Sequence, residues 1–577
     1  MRTFSTRLSV RTALLVLCAV SSMFSQSRIT EPADIIVIHG RVYTENPQQP
    51  WAHAIAIRKG KIEAVGEDAP IERMRGIGTK VINAGGKLVL PGFVDCHIHF
   101  MEGSAKLNWV RLEDAKNLAE IRYKLGAYAL QNPGTGWVLG HGWNYGMFGP
   151  GKLPDKKDLD DIFPNRPVSL EGFDGHSYWV NSKALALARI SHDTPDPPNG
   201  TIVRDPGTGE ATGVLKESAT DLVDRARPPM TRQEKLLALR AGMKLAHQNG
   251  LTRVHAAGGH FLSGDFEDLD LYEEMRRRGD LSLRIEIAYF LDPPALRSQD
   301  IEAIENARKK FSNDWLSAGV VKFRLDGVIE THTAAMLEPY SDDPSAKGAL
   351  FWEPDKYKAA VQELDKRGFQ LFTHAIGDSA VRLALDAYEE AQDRNHKRDH
   401  RPRIEHIETV SVADIPRFGS LGVIASMQPL HSYPDADTLD VWAHNVGPDR
   451  ASRAWVWKSI LDAGGHVAFG SDWPVVTLNP WEGIQTAVTR QTADGKPEGG
   501  FVPEQRLTVE QAIYAYTLGA AFAGRREKTE GSLETGKFAD LIIVSQNILE
   551  IPPRKIGQTK VLTTIIGGRI VYQASAK

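Results

Sequence analysis

Residues 88–99 read LVLPGFVDCHIH, an apolar run that ends in two histidines one residue apart. Because side chains alternate between the two faces of a strand, His97 and His99 point to the same side and can meet at one point. The apolar run over 88–94 is typical of a strand buried on both faces in a parallel sheet. The pair at its end therefore indicates a metal site, and the alternative is two hydrogen-bonded histidines at a strand end.

Seven further apolar runs follow, and stretches with helical periodicity, such as 232–248, 357–367 and 379–390, separate many of them. The predicted strands are 251–256, 283–289, 320–325, 370–374, 403–406, 423–427 and 466–470. Eight strands that alternate with helices predict an α/β fold, a (β/α)8 TIM barrel over residues 91–529. The gap between the first two strands is too long for one crossover, so we expect an insertion at about 101–250.

Both ends of the chain carry short apolar segments separated by turn residues, a pattern that differs from the central part. Residues 54–57 and 62–65 are typical of a hairpin, and residues 561–572 contain a similar pattern. The simplest arrangement is one small β-sandwich domain, built from residues 33–90 and 530–577, with the barrel inserted between its two parts.

The first 26 residues have the layout of a signal peptide that is removed on export. Three arginines precede an apolar segment at 12–20, which is too short to span a membrane comfortably, and small or polar residues follow. We expect cleavage near 25–27, a periplasmic or secreted protein, and no membrane segment afterwards; an uncleaved N-terminal anchor is the alternative. Cleavage would leave Cys96 as the single cysteine, which excludes an intrachain disulfide.

Residues that commonly bind metals or activate water lie at the carboxyl ends of five predicted strands, where barrel enzymes hold their active sites. They are His97 and His99 after strand one, Lys322 in strand four, His374 after strand five, His406 after strand six and Asp472 after strand eight. Each alone has an ordinary explanation, because a strand-end histidine often bonds to backbone and an aspartate often caps a helix. Five strands that direct such residues to one rim predict a metal centre.

This ordered set resembles the amidohydrolase superfamily, and in particular its family 3 branch, which includes hydrolases similar to N-substituted formamide deformylase. The resemblance runs from about residue 33 to the C-terminus. It is carried by the stretches PGFVDCHIH (91–99), DGHSYWVN (174–181), TGVLKE (212–217), KFRLDG (322–327), GSDWP (470–474) and GSLETGKFAD (531–540).

The resemblance implies a binuclear centre with two zinc ions, bound by His97, His99, Lys322, His374, His406 and Asp472. Lys322 would be carbamylated and bridge the metals, because a lysine ammonium cannot bind a cation. This requires that burial lowers its pKa so that carbon dioxide can cap the amine; a salt bridge to Asp326 or Asp472 is the alternative. Asp472 is expected to take a proton from the attacking water and pass it to the leaving nitrogen.

Four further residues are candidates for contacts with the substrate. His431 follows strand seven and is expected to stabilise a developing oxyanion, with an ordinary loop histidine as the alternative. His176 and Trp179 form a predicted substrate-binding cluster, with a packed loop as the alternative. Glu217 is expected to reach the metals or the substrate, and a surface charge pair is the other interpretation.

We therefore expect an exported, metal-dependent amidohydrolase that cleaves the C–N bond of a small amide, cyclic amide or N-formyl compound by attack of metal-bound hydroxide. Two alternatives stay open: a mononuclear deaminase-type hydrolase without carbamylated Lys322, and a degenerate, non-catalytic binding barrel. The net charge of −4, with acids and bases interspersed, gives no surface for nucleic acid. The expected partner is a small amide-type molecule, and both monomer and homodimer fit the sequence.

Overall fold

The computed structural model describes residues 31–148, 152–173, 175, 177–198, 200–258, 267–291, 293–396 and 398–575. The predicted signal peptide, residues 1–26, lies outside the described residues. Within these ranges, no helix has both the length and the apolar character needed to cross a membrane. The described chain forms a barrel, a β-domain built from both chain ends, and an insertion after the first barrel strand.

Eight parallel strands form a nearly closed barrel, which is the predicted (β/α)8 architecture. In order around the barrel, strands one to eight are Phe93–Ile98, Leu251–Ala256, Arg284–Phe290, Leu316–Arg324, Gln370–Ala375, Arg403–His406, Ile424–Met427 and His466–Phe469. Strand one meets the segment after strand eight through two backbone hydrogen bonds. The Asp472 N–H donates to the His97 carbonyl oxygen at 2.7 Å, and the His99 N–H donates to the Trp473 carbonyl oxygen at 2.8 Å.

The expected first barrel strand, 88–94, is wrong in its bounds. Leu88–Pro91 pairs antiparallel with Leu541–Val544 in the β-domain, and the barrel strand is Phe93–Ile98. The chain changes sheets at Gly92, whose N–H donates to the Asp540 carbonyl oxygen at 3.0 Å. A side chain there would lie 2.1 Å from Thr252, so the close approach requires glycine.

The barrel helices bury one apolar face against the strands. The three predicted helices are observed at Arg232–Gln248, Pro354–Lys366 and Asp378–Asn395. Arg232–Gln248 begins with a capping box, in which Thr231 and Glu234 satisfy each other's backbone N–H groups. The remaining α-helices are Asp68–Glu72, Phe100–Lys106, Leu118–Gln131, Lys156–Asp160, Ser182–Leu187, Asp221–Asp224, Glu267–Arg278, Ser298–Lys310, Ile415–Leu421, Ala443–Ala451, Trp457–Asp462, Pro480–Thr489, Val509–Tyr516 and Leu518–Ala523.

The β-domain consists of two sheets that enclose an apolar core of mainly isoleucine, valine and leucine side chains. The four-stranded sheet has the order Lys61–Gly66, Ala54–Arg58, Ile35–Ile38, Lys80–Asn83. The six-stranded sheet has the order Arg569–Gln573, Val561–Ile566, Leu541–Val544, Leu88–Pro91, Arg41–Tyr43, Trp51–Ala52. The second sheet combines strands from both ends of the chain, because its central pairing joins Leu88–Pro91 to Leu541–Val544.

The insertion contains its own six-stranded mixed sheet with two apolar cores. Its strand order is Gly200–Arg204, Ala211–Glu217, Ser177–Val180, Val168–Gly172, Val138–Trp143, Val110–Arg111. Helix Arg232–Gln248 falls within the predicted insertion at 101–250, yet its buried side chains belong to the barrel core. The sheet unit therefore occupies the earlier part of that range.

Candidate metal centre

One group of potential metal ligands lies at the seam between barrel strands one and eight. Asp472 Oδ1 is 3.4 Å from His97 Nε2 and 3.2 Å from His99 Nε2. All three side chains are buried, and their donor atoms lie close enough together to bind one metal ion. Two imidazoles and a carboxylate are a ligand set that suits zinc and similar divalent metals.

Hydrogen bonds on the far side of each imidazole set its orientation. His97 Nδ1 lies 2.6 Å from Glu405 Oε2, and His99 Nδ1 lies 3.0 Å from the Gly258 carbonyl oxygen. Because each of these oxygens accepts the Nδ1 proton, Nε2 keeps its lone pair toward Asp472. This arrangement, a ligand histidine backed by an acceptor, is characteristic of metal sites.

A second group shares the other oxygen of Asp472. Oδ2 is 3.9 Å from His406 Nδ1 and 3.5 Å from His431 Nε2, and the two imidazole rings are stacked with centroids 5.7 Å apart. His374 packs against His406 with a centroid distance of 4.5 Å, while its Nε2 lies 3.2 Å from the Gly327 carbonyl oxygen. Asp472 therefore lies between two histidine groups.

The electrostatics favour the neutral form of His97, His374 and His406, whereas Asp472 raises the pKa of His99 against the effect of burial. Burial, followed by the nearby Lys322 ammonium, lowers the pKa of His97 to about 4. Burial also lowers the pKa values of His374 and His406 well below the usual range. Histidine binds a metal only when neutral, so these side chains are in the ligand-competent state at neutral pH.

Lys322 lies beside this centre, with its Nζ 3.1 Å from His97 Nε2. Its side chain is buried, and burial lowers its pKa to about 8 against the opposing effect of Glu405 and Asp472. The alternative partner Asp326 is engaged elsewhere, because its carboxylate accepts backbone N–H groups of Ala335 and Gly377, both at 2.9 Å.

A cation fits this donor set. Asp472 Oδ1 is buried and has no hydrogen-bond partner among the described residues. A buried carboxylate oxygen without a donor is costly, and a bound cation would compensate it. The centre therefore has the composition, the charge and the unsatisfied carboxylate oxygen of a metal-binding group.

The backbone holds Asp472 in an uncommon conformation, with φ at 60°. Asp95, deep in strand one, accepts the Ser471 N–H at 2.9 Å and the Ser471 hydroxyl at 2.5 Å. Burial raises the pKa of Asp95 to about 7. These bonds fix the turn that presents Asp472 to both histidine groups.

The structure brings His97, His99, Lys322, His374, His406, His431 and Asp472 together at one end of the barrel. Trp179 is not among them. Its ring is fully buried in the insertion core against Phe148 and Trp143, and its Nε1 donates to the Asp155 carbonyl oxygen at 3.1 Å. The expected substrate contact of Trp179 is therefore corrected to a packing role.

Glu217 is exposed at the end of the insertion strand Ala211–Glu217. Its expected contact with the metals or substrate stays a prediction. His176 lies outside the described residues.

Sequence reasoning missed the residues that support the ligands. Glu405 precedes His406, so simple alternation would place the two on opposite faces of strand six. His406 ends that strand with φ at 76°, which lets both side chains reach the centre. Gln428, whose Oε1 lies 2.8 Å from His406 Nδ1, and Glu408, 3.5 Å from His431 Nδ1, were also missed.

The chain is similar to known proteins over most of its length. A family model described as "Amidohydrolase family" matches residues 80–572. The chain is 35% identical over 549 residues to Protein LONG AFTER FAR-RED 3 of Arabidopsis thaliana, covering 94% of this chain and 92% of that protein. It is 26% identical over 563 residues to N-substituted formamide deformylase of Arthrobacter pascens, covering 94% and 99% respectively. These matches confirm the resemblance indicated by the motifs.

A solved structure shares the fold over most of the chain. It is described as an uncharacterized metal-dependent hydrolase from Pyrococcus furiosus and matches with a TM-score of 0.70 at 26% identity. The match covers 89% of this chain and 100% of that one.

Proposed function

The chain belongs to the amidohydrolase family, and from that premise we propose that it hydrolyses the C–N bond of a small amide at the Asp472 centre. The observation that carries the proposal is the position of Asp472, which faces His97 and His99 with one oxygen and His406 and His431 with the other. When bound there, a divalent metal supplies polarisation of a carbonyl group and activation of water.

Asp472 is proposed to move the proton. Although burial would raise its pKa, His97, His99 and His406 hold the pKa well below the usual range, so the carboxylate is ionised. An ionised carboxylate can accept a proton from the attacking water and return it to the leaving nitrogen. Its position at the open end of the barrel, after strand eight, suits this exchange.

His431 is proposed to stabilise negative charge on the substrate oxygen. Burial alone would lower its pKa, but Glu408 and Asp472 raise it above the usual value. A cationic imidazole with Nε2 directed into the site can donate to a developing oxyanion. Glu408 holds the other ring nitrogen and itself accepts the Trp442 indole N–H at 2.7 Å.

We further propose that the metals are two zinc ions and that Lys322 is carbamylated. Support comes from the burial of Lys322, since a pKa of about 8 leaves part of the amine neutral at neutral pH. The neutral nitrogen can add to carbon dioxide, forming an N–C bond and losing a proton to give an anionic carbamate. A mononuclear, deaminase-type centre without this carbamate is the competing assignment.

The substrate class proposed is a small amide, cyclic amide or N-formyl compound. The name of the relative from Arthrobacter pascens, an N-substituted formamide deformylase, supports the N-formyl type. Export to the periplasm or medium, predicted from residues 1–26, belongs to the same proposal. Monomer and homodimer stay alternatives.

Metal analysis combined with a Lys322→Ala variant tests the binuclear assignment. We expect about two zinc ions per wild-type chain, one or fewer in the variant, and loss of hydrolysis of an N-formyl and N-acyl substrate panel. Lys309→Ala, at an exposed position on Ser298–Lys310, is the matched control and should leave both unchanged. Full activity in Lys322→Ala with one zinc ion would support the mononuclear assignment.

The alternative of a degenerate, non-catalytic barrel predicts that the wild-type protein neither binds metal nor hydrolyses amides. If wild-type protein purified with zinc in all buffers retains no metal and hydrolyses no amide in the panel, the catalytic proposal is wrong.

A further inference from the structure

Arg324 ends barrel strand four at the rim that holds the metal centre. It follows Lys322 by two residues, so both side chains point to the barrel interior. In the parallel pairing with strand five, Arg324 lies opposite His374. Residues paired in register share one face of the sheet, which places Arg324 in the same layer as His374 at the open end of the barrel.

Two aromatic rings flank the Arg324 side chain. The guanidinium carbon lies 4.9 Å from the Phe351 ring centroid and 6.0 Å from that of Phe290. Phe290 ends strand three, and Phe351 follows strand four, with its N–H bonded to the Leu325 carbonyl oxygen. Stacking engages the flat face of a guanidinium, whereas its N–H donors lie in the plane, where a carboxylate can bind in bidentate fashion.

Arg324 brings a positive charge to the layer of the barrel that holds His374. A divalent metal would add to this positive field, so an anion placed between the metal and Arg324 would be attracted by both.

We propose that Arg324 binds a carboxylate on the substrate, so that the preferred substrates are amides with a carboxylate close to the scissile C–N bond. This assignment rests on the proposed amide hydrolysis and adds the substrate class. The carboxylate would pair with the guanidinium edge while the amide carbonyl lies at the metal centre. Phe290 and Phe351 would contact the apolar part of such a substrate.

Binding to metal-free protein tests the assignment without using activity. The probes are N-formylphenylalanine and its carboxamide, which differ in the carboxylate alone, titrated by calorimetry into wild type, Arg324→Gln and Arg324→Lys. We expect the carboxylate to bind wild type about 10- to 100-fold more tightly than the carboxamide, and Arg324→Gln to abolish that ratio. Arg324→Lys should retain part of it, because the charge remains but the planar fork is lost.

Arg308→Gln is the matched control. Arg308 also stacks on a phenylalanine, 4.0 Å from the Phe369 ring centroid, but lies on the outer helix Ser298–Lys310. The Arg308→Gln variant should keep the wild-type preference for the carboxylate probe over the carboxamide probe. Equal binding of both probes to wild type, or an equal loss of both in Arg324→Gln, would overturn the assignment.

Kinetics with zinc-loaded protein separate this inference from the proposed function. If amides are hydrolysed, Arg324→Gln should raise KM for N-formyl amino acids about 10- to 100-fold and leave KM for their carboxamides within about twofold. If no amide is hydrolysed but the carboxylate preference in binding persists, the proposed function fails while the anion site stands. Hydrolysis without any carboxylate preference overturns the role of Arg324 alone.

Discussion

His97 Nδ1 and Glu405 Oε2 lie 2.6 Å apart, and both side chains are fully buried. Glu405 is in turn held by Arg403, whose Nε donates to Oε1 at 2.9 Å. Burial would raise the pKa of Glu405, but Arg403 and His97 hold it below the usual range. An ionised carboxylate therefore fixes the ring of a metal-ligand candidate from inside the barrel.

Replacing Glu405 by Gln should weaken zinc binding about 10- to 100-fold, because a neutral amide orients and polarises His97 less strongly. Competition with a chromogenic chelator measures the affinity. Glu302→Gln, at an exposed position on Ser298–Lys310, is the control and should bind zinc as wild type does. Unchanged zinc affinity in Glu405→Gln would show that the Glu405–His97 bond does not support the ligand.

Replacing Asp472 by Asn should lower kcat about 10²- to 10⁴-fold, because the amide cannot accept and return the proton. Steady-state kinetics at saturating zinc, with bound metal quantified in the same sample, separate this effect from loss of metal. Asp449→Asn removes an exposed carboxylate paired with Arg453 and should leave kcat unchanged. A fully metallated Asp472→Asn enzyme with near wild-type kcat would contradict the proton-transfer role.

His247 predicts a pH dependence of stability that is independent of the metal centre. Burial lowers its pKa to about 4 from 6.5, and its Nε2 lies 2.9 Å from the Ser282 carbonyl oxygen. Between pH 6.5 and 4 the unfolded chain binds a proton that the folded chain does not, so stability falls as the pH falls through this window. The contribution is about 3 kcal/mol.

Denaturant unfolding of His247→Gln across pH 7 to 4 measures that contribution. The variant should lose less stability than wild type over this window, whatever its stability at pH 7. His192→Gln, at an exposed position paired with Asp193, should follow the wild-type curve. Parallel curves for wild type and His247→Gln would contradict the assignment.

Gly103 is packed against the residue that follows Asp472. An added Cβ would lie 2.3 Å from the Trp473 ring, so Gly103→Ala should lower the free energy of unfolding by about 1–3 kcal/mol. Displacement of Trp473 should also weaken zinc binding. Gly126→Ala, in helix Leu118–Gln131 with nothing within 4 Å of its Cβ, should be neutral or stabilising by up to about 1 kcal/mol. Equal effects of the two variants would contradict this account.

The barrel could be predicted because its strands are short apolar runs between helices, and seven of eight were placed within a few residues. Strand one was misplaced because the apolar run of Leu88–Pro91 continues into Phe93 and Val94, whereas the sheet change at Gly92 depends on contacts with Thr252 and Asp540. The alternation of side chains along a strand does not reveal where the chain leaves one sheet and enters another.

Ligand candidates at strand ends could be predicted because their residue types are those that bind metals. Glu405 could not, since alternation would direct either Glu405 or His406 to the centre, and the backbone turn at His406 that brings both there has no mark in the sequence. Trp179 was assigned to substrate because aromatic side chains serve both binding sites and cores, and burial decides between the two. Arg324 lies beside a predicted ligand, but its neighbours Phe290 and Phe351 come from separate segments.

Two backbone hydrogen bonds, one between Asp472 and His97 and one between His99 and Trp473, have a consequence for biosynthesis. These hydrogen bonds bring together ligand candidates from the start and the end of the barrel sequence. The group of His97, His99 and Asp472 is therefore complete only after strand eight has docked next to strand one. A nascent or truncated chain that ends before Asp472 cannot assemble this group and stays inert. Metal uptake would then report that the barrel is complete, and the bound ion would fasten its two ends together.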